Sequence, residues 1–357
     1  MPVENPSPQN SSPKNSSPQT SPKKVAKKLG LRYVNDQQPG IRRQKVGRGF
    51  SYFDVEGNRI QDKAERDRLK QLPIPPSWKD VWICPYENGH LLATGRDAKG
   101  RKQYRYHPEW RELRNQVKFE RLLTFGQLLS SIREQTDAHL RMHGLPRKKV
   151  LALVVKLLET TLIRVGNVEY ARENDSYGLT TMRTRHVDIA GSHVEFEFMG
   201  KSGVEQRVEL ADRRLARIIK RCYEIPGYTL FQYIDEEGQR QQVDSGDVNE
   251  YLRELTGEDL TAKEFRTWGG TVLAALELGN AGPEESEAAA KRRVKAAIQT
   301  AAEHLGNRPA TCRKYYVHPR IPEAYLAGDL VPLMESARQT IDHLEHYECA
   351  VLELIES

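Results

Sequence analysis

Between residues 30 and 106 the apolar positions fall in short runs with a period of two. "GFSYFDVEGNRI" alternates and then turns at Glu56-Gly57-Asn58, which predicts a hairpin. "DVWICPY", "HLLATGRD" and "RKQYRYHP" predict further strands, separated by turns at Asn88-Gly89 and Lys99-Gly100. Between them, "DKAERDRLKQL" reads as a short charged helix stopped by "PIPPSW". From Pro108 the period changes to that of a helix. "EWRELRNQVKFERLLTFGQLLSSIREQTDAHLR" predicts one or two long helices, and "KKVLALVVKLLETTLIRVGN" a buried helix ending at Gly166-Asn167. "HVDIAGSHVEFEFMGKSGVEQRVEL" predicts three short strands joined by "AGSH" and "GKSG". Helices then dominate to about residue 330, and "LMESARQTIDHLEHYECAVLELIES" reads as an amphipathic helix that packs on this chain or on a partner.

The pattern divides the chain into a tail (1–29), a strand-rich domain (30–108), a mainly helical domain (109–330) and a last helix (331–357). The tail is Pro-, Ser- and Asn-rich with almost nothing apolar before the basic "KKVAKK", so disorder is expected there. Hydrophobic residues make up 38% of the 357, enough for a core. No run approaches the roughly 20 apolar residues of a membrane span, and the N-terminus lacks the apolar core of a secretory signal. Cys84, Cys222, Cys312 and Cys349 form no CxxC pair, which points to free thiols in a reducing compartment and no zinc site; Cys312 reads as packing.

Net charge is +6 but unevenly spread: residues 23–120 carry 23 Lys and Arg against 12 Asp and Glu, and residues 121–357 are acidic on balance. A basic N-terminal third suggests a polyanion partner held by one lobe, against the plainer reading of a soluble basic surface.

Cleaving a phosphodiester without a metal needs an in-line nucleophile, fixed cations for the charge on phosphorus, and an acid for the leaving oxygen. The chain offers Arg164 in "LIRVGN", Lys201 in "FMGKSG", Lys263 and Arg266 in "KEFRTWGG", Asn307 in "HLGNRP", and Tyr316 in "RKYY". Each has an ordinary reading: a cation at a helix C-terminus, an exposed turn lysine, a salt-bridged arginine, a turn asparagine, a core tyrosine. Their order and local wording together are harder to obtain by chance.

Residues from about 32 to 330 resemble a type IB DNA topoisomerase of the compact poxvirus and bacterial branch. The specific pieces are "GRKQYRYH" (100–107), "IRVGNVEYARENDSYGLTTM" (163–182), "GKSGV" (200–204), "KEFRTWGG" (263–270) and "LGNRPATCRKYY" (305–316). The resemblance implies an α+β fold. A small β-rich N-terminal DNA-binding lobe and a larger, mainly helical catalytic lobe with a small antiparallel sheet would form a C-shaped clamp on duplex DNA. It implies that Tyr316 attacks phosphorus to form a 3′-phosphotyrosyl link and that Arg164 and Arg266 bind the non-bridging oxygens, with planar forks that suit a phosphate. Lys201 would protonate the departing 5′-oxygen, and Lys263 would support the phosphate. Gln103, Tyr104 and Tyr106, with Asn167 and Tyr170, would contact DNA. Neither ATP, a metal nor any cofactor is implied. The implied partner is duplex DNA with no membrane, and the protein would be monomeric on DNA and cytoplasmic, in the bacterial nucleoid.

One position departs from the family's frequent pattern: Asn307 stands where histidine is common. Asparagine donates a hydrogen bond but carries no charge, so hydrogen bonding to a phosphate oxygen is expected there. Two alternatives share these residues. A tyrosine recombinase uses the same logic, but its second motif has the form HxxR where this chain has Lys263 to Arg266, and its N-terminal part is helical. A non-catalytic DNA-binding protein would keep the fold without the chemistry.

Overall fold

The computed structural model describes residues 22–98, 100–336 and 342–357. The chain divides into two compact units, Met1–Gln116 and Val117–Ser357. Most of the expected disordered tail, residues 1–21, lies outside the described residues. Its end departs from the expectation: Pro22–Lys28 form a short helix (α1). Ala26 and Leu31 are buried against Trp110, with Val25 and Leu29 alongside, so these few apolar residues suffice to dock the segment.

The first unit is built on a five-stranded antiparallel sheet of β1 (Ile41–Val46), β2 (Gly49–Phe53), β3 (Lys79–Ile83), β4 (Leu91–Arg96) and β5 (Lys102–Tyr106), in the order β2-β1-β3-β4-β5. The second helix, α2 (Lys63–Gln71), begins at Asp62, whose carboxylate accepts from the Glu65 amide. Its Leu69 enters a core of Ile41, Tyr52, Trp78, Val81, Ile83 and Ala93. The strand β1, which pairs with β2 through Gly47-Arg48, was not read from the sequence, because "IRRQKV" carries charges on its exposed side.

"EWREL…HLR" forms a single helix, α3 (Pro108–Leu140), which carries the chain into the second unit. There α4 (Arg147–Thr161) is buried along nearly its whole length, from Lys149 to Leu158. It ends earlier than its apolar pattern suggested. Leu162 takes a left-handed conformation (φ 54°) and residues 162–167 run as an irregular loop into α5 (Val168–Asn174). Left-handed backbone costs a leucine roughly 1–2 kcal/mol, so the surrounding contacts must hold it.

The three expected strands are β6 (Val187–Ala190), β7 (His193–Gly200) and β8 (Val204–Ala211), antiparallel in that order. After α6 (Arg213–Tyr223) comes a small hairpin of β9 (Gln232–Ile234) and β10 (Arg240–Gln242), too short and polar to show as a periodic signal. The remaining elements are helical: α7 (Ser245–Thr256), α8 (Ala262–Ala281), α9 (Glu287–His304), α10 (Pro309–Tyr315), α11 (Arg320–Ala327), α12 (Leu330–Ser336) and α13 (His346–Glu356). The expected last helix is therefore α12 and α13, and α13 packs on its own chain: Val351, Leu352 and Leu354 join the main core. The fold class is α+β, a sheet-built N-terminal unit followed by a mainly helical one with a small antiparallel sheet. Among the described residues no helix is long and apolar enough to cross a membrane.

Candidate active site

Three chain segments converge in the second unit. The first is the loop after α4. The Leu179 amide donates to the Arg164 carbonyl (2.9 Å), and the Thr180 amide and hydroxyl both donate to the Val165 carbonyl (2.7 and 2.9 Å). Gly178 permits this: a Cβ there would lie 2.4 Å from the Arg164 carbonyl and 2.6 Å from the Gly166 nitrogen. "IRVGN" and "YGLTT" are thus one folded piece, and it fixes the backbone that carries Arg164. At its end Asn167 caps α5, its side-chain oxygen accepting from the Tyr170 amide at 2.8 Å.

The second segment is the start of α8. Thr261 caps the helix with Glu264 in a reciprocal box, and Lys263 and Arg266 follow in its first turns. Two cations at a helix N-terminus oppose the helix dipole, an arrangement that an anion would relieve. Arg266 is 5% exposed. Its Nη1 donates to the Leu162 carbonyl and its Nη2 to the Leu305 carbonyl (2.6 Å), while its Nε has no partner. The strained Leu162 is therefore tied to this arginine.

The third segment runs from the end of α9 through α10. Gly306 adopts φ 57°, and a Cβ there would meet the Gln206 side chain at 2.5 Å, so "LGN" is a helix cap that only glycine fits. It delivers Asn307, whose side-chain oxygen accepts from Arg164 Nη2 at 2.7 Å. Since arginine can only donate, that bond fixes the amide orientation and leaves Nδ2 as a buried donor with no partner. The two tyrosines of "RKYY" do not share one helix. Helix α10 stops at Tyr315, and Tyr316 leaves it at φ −134°, ψ −7°. Tyr315 is exposed at the border of the same cleft, while Tyr316 is half-buried against the core.

The glycine pair after Arg266 makes room for this meeting. A Cβ on Gly270 would sit 2.6 Å from the Tyr316 carbonyl, and one on Gly269 would strike the Leu162 side chain at 2.5 Å. Two glycines inside a helix cost roughly 1 kcal/mol each, a signal in "TWGG" that close approach is required.

The result is a cleft of about 580 Å³ lined by Lys118, Arg164, Lys201, Lys263, Arg266 and Tyr316, with Asn167 and Tyr170 also on its wall. No carboxylate lines it, and among the described residues none of these cations makes an ion pair. Lys201 projects from the β7–β8 turn and is exposed. The Arg266 guanidinium is held below its ordinary range by burial first and by the like charge of Arg164 second; the Tyr316 phenol opposes both. Arg266 lies 5.2 Å from the Tyr316 ring centroid. Cys312 is buried and burial pushes its thiol up to about 11, which agrees with a packing role. Lys118 was not singled out in the sequence, where it is one charge among many on a long helix.

Gln103, Tyr104 and Tyr106 lie in the first unit, on the edge strand β5. Tyr104 and Tyr106 are exposed and stack on each other (6.0 Å, 8° between planes), while Gln103 donates to Asp97 at 3.1 Å.

A sheet unit followed by a helical unit whose cleft holds five cations and no acid defines a protein that handles a polyanion. Residues 107–325 match the family described as eukaryotic DNA topoisomerase I, catalytic core, and residues 49–97 match bacterial DNA topoisomerase IB, N-terminal domain. DNA topoisomerase 1B of Acanthamoeba polyphaga mimivirus is 32% identical over 296 residues, covering 80% of this chain and 87% of the relative. DNA topoisomerase 1B of vaccinia virus (strain Copenhagen) is 22% identical over 73% of this chain and 82% of its own, and DNA topoisomerase 1 of rabbit fibroma virus 24% over 79% and 90%. The chain belongs to the type IB DNA topoisomerase family, isomerases that relax DNA.

Proposed function

We propose that the protein relaxes supercoiled duplex DNA by cutting one strand through a 3′-phosphotyrosyl intermediate, letting that strand rotate, and resealing it. In this reading the Tyr316 oxygen attacks phosphorus and gives up its proton to solvent, and the bond to the 5′-oxygen breaks. Lys201 supplies the proton that oxygen needs. Arg164, Arg266 and the free Asn307 amide hold the non-bridging oxygens, and Lys263 supports the phosphate. The tyrosyl ester keeps the energy of the broken bond, so the reverse attack by the 5′-hydroxyl reseals the strand without ATP. The cations already present take the place of a metal. Residues 30–108 form the DNA-binding domain, with Gln103, Tyr104 and Tyr106 as contacts, and residues 109–330 the catalytic domain, with Asn167 and Tyr170 beside the cut. Four buried, unpaired thiols support a reducing, cytoplasmic setting.

One observation carries the reading: Arg266 Nε and Asn307 Nδ2, two buried donors with no partner, in a cationic site with Tyr316. A buried donor left unpaired costs about 1–3 kcal/mol, a cost that a phosphate oxygen removes. The families matched and the relatives named above are topoisomerases, so nothing favours the recombinase reading. Relaxation of a plasmid that lacks any special site, in EDTA and without ATP, is the expected result. Loss of all activity in chelator would defeat the metal-free mechanism.

A further inference from the structure

Lys118 enters the cleft from α3, far in sequence from every other residue that lines it. Its ammonium donates to the Tyr315 carbonyl, the oxygen of the peptide bond that leads into Tyr316. It also lies 5.3 Å from the Tyr316 ring centroid and 5.1 Å from that of Phe119. On the following peptide, the Thr271 hydroxyl lies 3.3 Å from the Tyr316 carbonyl and accepts from the His318 amide at 3.1 Å, and Gly270 lets α8 approach it. The two peptides that flank the Tyr316 side chain are therefore pinned from two different helices. Arg266 and Lys118 both stand near its ring.

The carboxylate closest in effect to Lys118 is already engaged: Glu264 accepts from the Thr261 hydroxyl at 2.6 Å and faces Arg121 at 3.4 Å. Among the described residues Lys118 makes no ion pair. A lysine held by one carbonyl and two aromatic rings, without a counter-ion, is poorly placed as a stability device.

We propose that Lys118 is a positioning residue for strand cleavage: it fixes the Tyr315–Tyr316 peptide and sets a positive charge beside the attacking phenol. The proposal rests on the reading of Tyr316 as the nucleophile. Burial pushes the Lys118 ammonium down to about 8, with Glu264 on α8 and the Cys312 thiol on α10 pulling it back up. His318, which meets Phe119 edge to face, also faces it, and burial holds that imidazole down at about 4, so it stays neutral near pH 8. The positive charge of Lys118 is thus lost as pH rises through this region, and a DNA phosphate in the cleft moves the loss to higher pH.

The test is single-turnover cleavage of DNA carrying a 5′-bridging phosphorothiolate at the cut, measured against pH. A thiolate leaves without an acid, so Lys201 drops out of the alkaline limb. Wild type should lose rate above pH 8. Lys118→Met should fold and still bind DNA non-covalently, if somewhat less tightly, and with DNA saturated by protein should cleave at least about 10-fold more slowly because the nucleophile is misplaced, and lack the alkaline limb. Lys118→Arg should recover most of the rate and also lack the limb, since arginine stays charged. Should Lys118→Met fail to fold, Lys118→Gln takes its place with the same expectations. A neutral variant that cleaves like wild type, one that is slow yet keeps the limb, or Lys118→Arg as slow as the neutral variant would each overturn the proposal. Absence of any covalent product with wild type would instead sink the assignment of Tyr316.

Discussion

Two arginines withdrawn from solvent, Arg133 partly and Arg266 almost wholly, serve the same half of the molecule and are treated in opposite ways. Arg133 on α3 donates to Glu159 and, through two nitrogens, to Glu348 on α13 (2.6 and 2.9 Å). Glu348 also accepts from Trp268 Nε1 at 3.0 Å. Burial alone would lower the Arg133 guanidinium, but the two carboxylates outweigh it and raise it. Arg266 sits on α8 two residues before Trp268, is more deeply buried than Arg133, and has two carbonyls and no acid. One helix thus joins a finished charge network to an unfinished one. Where evolution needs a buried cation for structure, it supplies counter-ions; where the counter-ion is withheld, the vacancy suits a ligand of negative charge.

The largest effect should come from the unfinished side. Arg266→Ala should slow covalent adduct formation by about 10³-fold or more, as expected for removal of a preorganised donor to the transition state. Its thermal stability should change little, because relief of an uncompensated charge offsets two lost carbonyl bonds. A large fall in melting temperature with cleavage intact would reverse the contrast. Arg133→Ala should behave oppositely. It strands two carboxylates and should destabilise folding by about 3–5 kcal/mol in denaturant titration, while the cleavage rate of the folded fraction stays close to wild type.

A smaller effect should follow from crowding the junction itself. Gly270→Ala places a Cβ 2.6 Å from the Tyr316 carbonyl, and backbone cannot yield as a side chain does. Cleavage should fall by up to about 10²-fold through misplacement of the nucleophile, with DNA binding retained. Gly269→Ala meets only the Leu162 side chain and should cost less. If both variants cleave equally well, the close approach does not position Tyr316.

The smallest effect is one of pH. Burial raises the Glu348 carboxyl, but Arg133 and Trp268 pull it below its ordinary value. Its contribution is therefore complete above the ordinary carboxylate range and is lost as pH falls through the lowered value. Melting temperature should drop with acid below about pH 4.5 in wild type, and the drop should be shallower in Glu348→Gln, which has already lost the pair. Identical acid slopes would show that α13 is held by its apolar face alone.

Much of this was legible in the chain. The change from a period of two to a helical one at Pro108 marks where sheet gives way to helices, and the hairpin that bears Lys201 follows from alternation around "GKSG". The helix that ends at Leu162 was not legible, because "LIRV" keeps an apolar rhythm. What ends it is distant: Arg266 on the Leu162 carbonyl and the "YGLTT" amides on the loop. Docking of Pro22–Lys28 likewise depends on Trp110, more than 80 residues away in sequence. Lys118 carried no local signal at all, since its meaning lies in the Tyr315 carbonyl it reaches across the fold. The double glycine in "TWGG" could have been read as a close contact, though not with which partner.

The central claim is that the phosphate meets Tyr316 and not its exposed neighbour. Plasmid DNA trapped with the protein under denaturing conditions, digested with nuclease and protease, allows the modified peptide to be sequenced by mass spectrometry. The account predicts a 3′-phosphonucleotide on Tyr316, an adduct that survives in Tyr315→Phe and vanishes in Tyr316→Phe while the latter still folds and binds DNA. A nucleotide on Tyr315, or an adduct that persists in Tyr316→Phe, would contradict it.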